Sequence, residues 1–191
     1  TSLYLAFTNY NILSAPKWVG LDNFKKMFLE DDLFWTSFKV TFKFALIQVP
    51  IKLTVALLVA LVLSRSTRLT SFYRAAFYIP SLMGGSVAIA LLWKQLFSPK
   101  GVINQVLGFF GLPDSTAWLG NPKTALGTLI ALGVWQFGSS MLIFLAAIKN
   151  IPQSYHEAAI VDGAGPVRRF FSITLPMLTP IIFFSLINHV I

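Results

Sequence analysis

The chain has 191 residues, of which 55% are hydrophobic and only 12% are charged. A soluble globular domain carries about 25% charged residues, so this composition indicates that lipid surrounds much of the chain. The absence of cysteine excludes disulfides, thiol catalysis and cysteine-ligated metals within this sequence.

The formal net charge of +8 raises the question of nucleic-acid binding. The basic residues are dispersed between apolar runs, however, and no nucleic-acid-binding motif accompanies them. Such a pattern is typical of loops that flank membrane helices. We therefore expect a lipid bilayer, and no nucleic acid, among the partners.

Several apolar segments are long enough to cross a bilayer as helices, which takes about 20 residues. The complete ones are residues 41–64, 75–97 and 124–148. A fourth begins at Pro180 and is cut off by the end of the sequence, and residues 1–7 have the character of the tail of an earlier span. We expect an all-α polytopic transmembrane helical bundle with three complete and two partial spans. Because the sequence starts without Met and stops in an apolar run, we expect this domain, 1–191, to be truncated at both ends.

The links between these spans differ in their basic residues. Lysines occur in the first, third and fourth links, whereas every arginine falls in the second link or the fourth. These arginines are Arg65, Arg68, Arg74, Arg168 and Arg169. Two spans separate the second link from the fourth, so both should lie on one side of the membrane. The excess of positive charge predicts that this side is cytoplasmic.

Some residues inside the spans are unusual for a membrane helix. Pro50 and Pro80 interrupt two spans, and a Gly-Gly pair at 84–85 follows Pro80. These residues either form ordinary kinks, which neighbouring helices tolerate, or shape a pathway. Lys52 lies within the first span. A charge there is costly and marks a functional candidate, although a long lysine side chain can also extend to the membrane surface.

The link 149–179 is the most informative part of the sequence. Pro152 favours the start of a helix, and the glycines around Gly163 favour a sharp turn. A second helix is predicted to open at Pro166 and to close at Leu175-Pro176, before the next span. The link is therefore predicted to form a helix, a glycine turn and a helix.

This link carries a motif of fixed spacing. The sequence Glu-Ala-Ala is followed after three residues by Gly, after nine more by Ile, and after one more by Leu-Pro. The matching positions are Glu157, Ala158, Ala159, Gly163, Ile173, Leu175 and Pro176. In this motif the chain resembles the permease subunits of ATP-binding-cassette importers, whose EAA loop has this pattern. The segments 162–166, 173–176 and 2–24 resemble the carbohydrate branch, of the maltose and glycerol-phosphate types.

The resemblance implies a fold, a function and a set of partners. It implies the type I importer permease fold, with the loop docked as a coupling helix on a separate ATPase subunit. The coupling residues would be Glu157, Ala158, Ala159, Asp162 and Gly163. It also implies a sugar or oligosaccharide as cargo, a second and different permease chain, two ATPase subunits, an outside sugar-binding protein, and a bacterial or archaeal cell membrane. The sequence has no phosphate-binding loop, so ATP and Mg would be bound by the partner ATPases, with no cofactor and no enzymatic activity in this chain.

Polar residues in the third and fourth spans are candidates for contact with the cargo. Their spacings of three and four place several of them on one helix face, and the resemblance implies that these two spans touch substrate. The candidates are Trp135, Gln136, Ser139, Ser185, Asn188 and His189. The alternative role for such residues is hydrogen bonding between helices.

Two other functions compete with an importer permease. An ion-gradient-driven secondary transporter would have broken half-helices together with acids at mid-membrane. The prolines give that alternative slight support, whereas all seven acids of the sequence lie in the links. A membrane-embedded enzyme is disfavoured because no nucleophile triad or metal-ligand spacing is present.

Overall fold

The computed structural model describes residues 2–11, 14–65, 69–113 and 115–190. The chain divides into two compact units, Thr1–Phe44 and Ala45–Ile191. Arg68, which the charge pattern singled out, lies outside the described residues.

The N-terminal unit contains a β-hairpin, which an all-α prediction did not include. Helix α1 (Ser2–Ala6) leads into β1 (Thr8–Asn11), which pairs antiparallel with β2 (Ser14–Trp18). The side-chain amide of Asn23, in helix α2 (Asp22–Lys25), donates to the carbonyls of Ala6 at 2.9 Å and Thr8 at 3.0 Å. The hairpin is thereby held to the helices on either side of it.

Helix α3 (Asp32–Ser64) contains the first predicted span but starts nine residues earlier than the predicted boundary at 41. A π-helical turn, Lys26–Glu30, precedes it. The carboxylate of Asp31 accepts hydrogen bonds from the backbone N–H groups of Leu33 at 2.9 Å and Phe34 at 3.2 Å, which caps the helix. Lys39 and Lys43 interrupt the apolar run without interrupting the helix, because lysine is a good helix former. Pro50 is accommodated inside α3.

The second predicted span, 75–97, is two helices and not one. Helix α4 (Thr70–Met83) and helix α5 (Val87–Leu96) meet at an angle of 100°. The hydroxyl of Ser86 accepts from the backbone N–H of Ile89 at 3.3 Å and so caps the start of α5. The bend follows the glycine pair, where the chain has no side chains to oppose it. Pro80 lies within α4 and does not end it.

The third predicted span, 124–148, is also divided. Helix α7 (Pro122–Trp135) and helix α8 (Gly138–Lys149) are bent by 44° at residues 136–137. Between the second and third spans lies a short helix, α6 (Val102–Phe109). The buried side chain of Asn104 organises this link, because its amide donates to the carbonyls of Ser98, Pro99 and Thr116 and its oxygen accepts from the Trp118 indole N–H.

The link after α8 leads into the last described span without a stop. Helix α9 (Gln153–Val161) is followed by α10 (Pro166–Arg169), a π-helical turn (Phe170–Thr174) and α11 (Leu175–Val190). The last three form one continuous helix, Pro166–Val190. The predicted helix end at Leu175-Pro176 is therefore wrong. In a regular helix the ring of Pro176 would clash with the carbonyl of Ser172, four residues earlier; Ser172 lies in the wider π turn, which leaves room for the ring.

The core of the second unit lies between α3 and α8. One face of α3 packs its small and branched residues against the large side chains of α8, which are fully buried or nearly so. The cluster consists of Val49, Leu53, Ala56, Ala60, Leu63, Met141, Phe144 and Leu145. Most other apolar side chains face outward, as expected for helices whose solvent is lipid. By length and composition, α3 and Pro166–Val190 can each cross a membrane, and the two bent pairs qualify as two further broken spans.

Candidate functional site

Helix α9 contains no buried residue. It follows Pro152, whose φ of −58° and lack of an N–H suit a helix start. Its exposed side chains include three apolar ones: Tyr155, Ile160 and Val161, the last being 88% exposed. A short helix with an apolar surface that its own chain does not cover is typical of a docking element.

The end of α9 is fixed by a turn that requires glycine. Gly163 has a φ of +74°, a conformation that residues with a Cβ rarely adopt. Its N–H donates to the carbonyl of Ile160 at 2.9 Å, and the N–H of Ala164 donates to the carbonyl of Ala159 at 2.8 Å. This pair of bonds is a Schellman motif, which satisfies the last carbonyls of the helix. The predicted glycine turn is confirmed.

The structure distinguishes the five predicted coupling residues by exposure. Glu157, Ala158, Asp162 and Gly163 are exposed, whereas Ala159 is half-buried. Ala159 lines a cleft of about 200 Å³ between the end of α9 and the start of the next helix, where Arg168 and Arg169 also lie. The outward surface of α9 therefore includes Glu157 and Ala158, and Ala159 faces its own chain.

A larger groove, of about 490 Å³, joins the two arginine-rich links. Arg65, which follows α3, lines it together with His156 of α9 and Arg169 of α10. The apolar part of its wall comes from Leu58 and Phe170, among others. The second and fourth links thus lie at the same end of the bundle, which confirms the prediction that they share one side.

Ser81, near the end of α4, is hydrogen-bonded to the break between α7 and α8. Its hydroxyl donates to the carbonyl of Gln136 at 3.1 Å and accepts from the backbone N–H of Ser139 at 3.1 Å. A broken helix leaves backbone groups without partners, and inside a membrane these must be satisfied by protein. Ser81 of α4 provides hydrogen-bond partners for two backbone groups at the break between α7 and α8, the carbonyl of Gln136 and the N–H of Ser139.

Two glutamine side chains lie over glycines of neighbouring helices. A methyl group placed on Gly84 would collide with the side-chain amide of Gln136, with Nε2 at 2.8 Å. One placed on Gly133 would collide with the side chain of Gln48, with Cδ at 2.7 Å. The glycines therefore make room for one amide group at the break and for another about one helical turn before it.

The side chain of His189 is held between α8 and α11. Its Nδ1 lies 2.8 Å from the carbonyl oxygen of Ser185, and its Nε2 lies 3.1 Å from the hydroxyl of Ser140. A carbonyl only accepts, so Nδ1 carries the proton, and in the neutral ring Nε2 accepts from Ser140. Ser140 and Ser185 are buried, and the Ser185 hydroxyl has no partner among the described residues.

The six predicted pathway residues do not form one cluster. His189 contacts the backbone carbonyl of Ser185 and the hydroxyl of Ser140. Gln136 and Ser139 instead contact Ser81 through their backbone groups. The ring of Trp135 packs 5.9 Å from that of Trp93, and Asn188 is exposed. Pattern reasoning did not select Ser81, Ser140 or Gln48. Their only signal in the sequence is polarity within an apolar run.

The bent pairs are the broken half-helices expected of a secondary transporter. The second feature of that class, acids at mid-membrane, is missing from the sequence, because every acid lies outside the apolar segments. The geometry alone therefore does not distinguish a secondary transporter from an importer permease. Similarity to known proteins distinguishes them.

Residues 45–191 match the family model described as "Binding-protein-dependent transport system inner membrane component". The chain is 56% identical over 190 residues to the probable ABC transporter permease protein YesP of Bacillus subtilis (strain 168), covering all of this chain and 62% of YesP. It is 37% identical over 179 residues to the sn-glycerol-3-phosphate transport system permease protein UgpA of Escherichia coli O157:H7, covering 93% of this chain and 59% of UgpA.

A solved structure gives the same result for the fold. A chain of a bacterial ABC transporter that imports the acidic polysaccharide alginate superimposes with a TM-score of 0.80 at 27% identity, over 98% of this chain and 64% of that one. The chain thus spans about 60% of the length of the relatives it matches. The family match covers more than half of the residues, and the solved relative has the predicted type I permease fold. The chain therefore belongs to the inner membrane components of binding-protein-dependent, ATP-binding-cassette transport systems.

Proposed function

We propose that this chain is the membrane-spanning permease part of an ATP-driven importer of sugars or oligosaccharides. The observation that carries the proposal is the exposed helix α9, which ends in the Gly163 turn and lies beside the arginine-rich end of the bundle. The names of two relatives support it, since they specify a permease protein and a transport system permease.

The proposal includes a defined set of partners. A second, different permease completes the pathway, two ATPase subunits bind on the cytoplasmic side, and a binding protein delivers sugar from outside. ATP and Mg are bound by the ATPase subunits and supply the energy of transport. This chain provides the docking helix and part of the pathway. A solved relative, the alginate ABC transporter, has been captured with a pentasaccharide-bound periplasmic protein, which supports the last of these partners.

In this proposal α9 is the contact with the ATPase. The small Ala158 allows close approach, and the exposed Glu157 carboxylate provides a charge-assisted hydrogen bond to a donor on the partner. The Gly163 turn sets the direction of the helix relative to α10. Movement of the ATPase pair would then displace α9 and, through it, the spans on either side of the loop.

The test replaces Ala158 with Asp in the full-length permease. Because Ala158 is exposed, the substitution should leave the fold of the free chain unchanged. In the interface with the ATPase, however, an unpaired buried charge costs about 3–5 kcal/mol. Ala159 is less suitable, because an acid there would lie in the cleft beside Arg168 and Arg169. We expect the ATPase subunit to be lost on co-purification, with membrane insertion intact. A Ser115→Asp variant, in the exposed part of another link, is the matched control.

A second variant tests the turn. Gly163→Val opposes a φ of +74°, whereas Gly165→Val, two residues later, is compatible with the φ of −67° and ψ of 168° at that position. We expect sugar-stimulated ATP hydrolysis in reconstituted vesicles to be lost in the first variant and kept in the second. Normal association and stimulation in both Ala158→Asp and Gly163→Val would contradict the proposed coupling role.

A further inference from the structure

Lys52 lies in the apolar part of α3, far from both ends of the helix. Ser64, the last residue, is about 18 Å away along the axis, and Asp32, the first, is about 30 Å away in the other direction, at 1.5 Å per residue. No other charged residue occurs between positions 44 and 64. A lysine stem of four methylene carbons bridges only part of these distances. An ionisable group at such a depth is costly and indicates a function.

The ammonium of Lys52 has no partner within the described part of the chain. It makes neither a hydrogen bond nor an ion pair there, and its side chain is only half-buried. All acids of the sequence lie outside the apolar segments, so none of them is at the right depth. The positive charge is therefore available to something other than this chain.

The neighbours of α3 show the depth at which Lys52 lies. Gln48, one turn before Lys52 on the same face, lies over Gly133 of α7. Helices α3 and α7 both run toward the end that carries the arginine-rich links. One turn further along both helices, Lys52 comes level with Gln136 and Phe137, where α7 and α8 are bent.

Helix α4 gives the same depth independently. Phe77 of α4 lines one small cavity with Val59 of α3, and the two helices run in opposite directions. Because the helices are antiparallel, moving seven residues back along α3 from Val59 and seven residues forward along α4 from Phe77 leads to the same depth. These steps end at Lys52 and at Gly84, which follows the last residue of α4. Lys52 is thus level with both breaks.

The side chains at this depth, or within one turn of it, suit a polar ligand. The amides of Gln48 and Gln136 make no side-chain hydrogen bond among the described residues, and the side chain of Ser139 is exposed. Amide and hydroxyl groups bind sugar hydroxyls. A neutral sugar would leave the ammonium without a counter-charge, whereas a carboxylate or phosphate would form a charge-assisted hydrogen bond with it.

We propose that Lys52 determines specificity by binding the anionic group, carboxylate or phosphate, of an acidic sugar at the level of the two helix breaks. The inference rests on the importer function proposed above and names the class of its cargo. Two relatives agree with it by name, since sn-glycerol 3-phosphate and the acidic polysaccharide alginate are both anions.

The experiment uses the complete importer in vesicles, with its binding protein. The probes are an oligosaccharide digest of uronate-containing polysaccharides, a carboxyl-reduced copy of the same digest, and sn-glycerol 3-phosphate, so that carboxylate and phosphate are tested separately. We expect uptake of at least one anionic probe and little uptake of the reduced copy. Lys52→Met should raise the half-saturating concentration for that anionic probe about tenfold or more, the change that 1.4 kcal/mol produces. Lys52→Arg, which keeps the charge, should remain within about threefold of wild type.

Lys43→Met is the matched control, because Lys43 is on the same helix but exposed and nearer its start. It should leave uptake of both kinds of probe unchanged. Uptake of the reduced copy alone, or of no probe, would overturn the assignment, as would an equal loss of anionic and neutral uptake in Lys52→Met. Failure of the Lys52→Met permease to assemble with its partner subunits would also overturn the assignment, since the ammonium of Lys52 would then pair with an acidic residue of a partner subunit and not with cargo. Only loss of ATPase co-purification from the wild-type permease would contradict the importer function itself.

Discussion

At Gly138, helix α8 lies in close contact with the backbone of α4. A methyl group on Gly138 would lie 2.7 Å from the Cα of Tyr78 and 2.9 Å from the hydroxyl of Ser81, and would collide with the carbonyl oxygen of Phe77. Two of these three atoms belong to the backbone, so no rotamer change can relieve the overlap. Restoring an ordinary contact of 3.4 Å to Tyr78 alone requires α4 to move by about 0.7 Å, from 2.7 Å, and the nearer carbonyl oxygen of Phe77 requires a larger shift.

The cost of Gly138→Ala follows from that displacement. Overpacking of a well-packed site costs about 1–3 kcal/mol. The shift also stretches the two hydrogen bonds of Ser81, now 3.1 Å each, and an interhelical bond in a membrane is worth about 0.6 kcal/mol on average. We therefore expect the free energy of unfolding to fall by roughly 2–4 kcal/mol.

The assay is equilibrium unfolding of the purified full-length permease in mixed micelles. Gly127→Ala is the matched control, because Gly127 lies in α7 with nothing within 4 Å of the added methyl group. That variant should be as stable as wild type or up to about 1 kcal/mol more stable, through its better helix propensity. Equal stability of the two variants would refute the close approach of α4 and α8, on which the hydrogen bonds of Ser81 to the α7–α8 break depend.

Three further predictions concern other parts of the chain. Asn104→Leu should make the link between α5 and α7 sensitive to protease, because several buried groups lose their partner at about 1–3 kcal/mol each; Gln105→Leu, an exposed neighbour, should not. Ser140→Ala should lower the free energy of unfolding by about 0.6 kcal/mol, while Ser139→Ala, whose backbone bond to Ser81 is kept, should not change it. Single cysteines at exposed Ser154 and Ser115 should differ in intact cells, with an impermeant reagent reaching only the second. Labelling of the first alone would invert the topology.

The sequence was sufficient to predict the spans, because long apolar runs leave few alternatives to a membrane helix. It did not reveal how those runs bend. The glycines at 84–85 and the residues Gln136 and Ser139 mark the two breaks, but the bend angles of 100° and 44° follow from tertiary contacts that satisfy freed backbone groups. At the break between α7 and α8 the neighbour is Ser81, which is more than 50 residues away in sequence from the groups it binds.

Local patterns were reliable where a backbone angle decided the structure. The turn at Gly163 was predicted because a positive φ favours glycine. The β-hairpin at 8–18 was not, since its short strands carry Asn, Lys and Pro, which are depleted in strands, and its position is held by Asn23 from outside the hairpin. Among the predicted coupling residues, only the structure separates outward-facing Ala158 from inward-facing Ala159.

Helix Pro166–Val190 is continuous from the loop to the end of the last described span, so a tilt at its loop end would move its whole length as a rigid rod. Its 25 residues extend about 37 Å, so a tilt of about 5° at Gly165 would displace the far end by about 3 Å. His189 is almost at that far end, and its bond to Ser140 is 3.1 Å long. A displacement of this size would take His189 Nε2 beyond hydrogen-bond distance of the Ser140 hydroxyl. A movement that starts at the loop would in this way change a contact at the opposite end of the span.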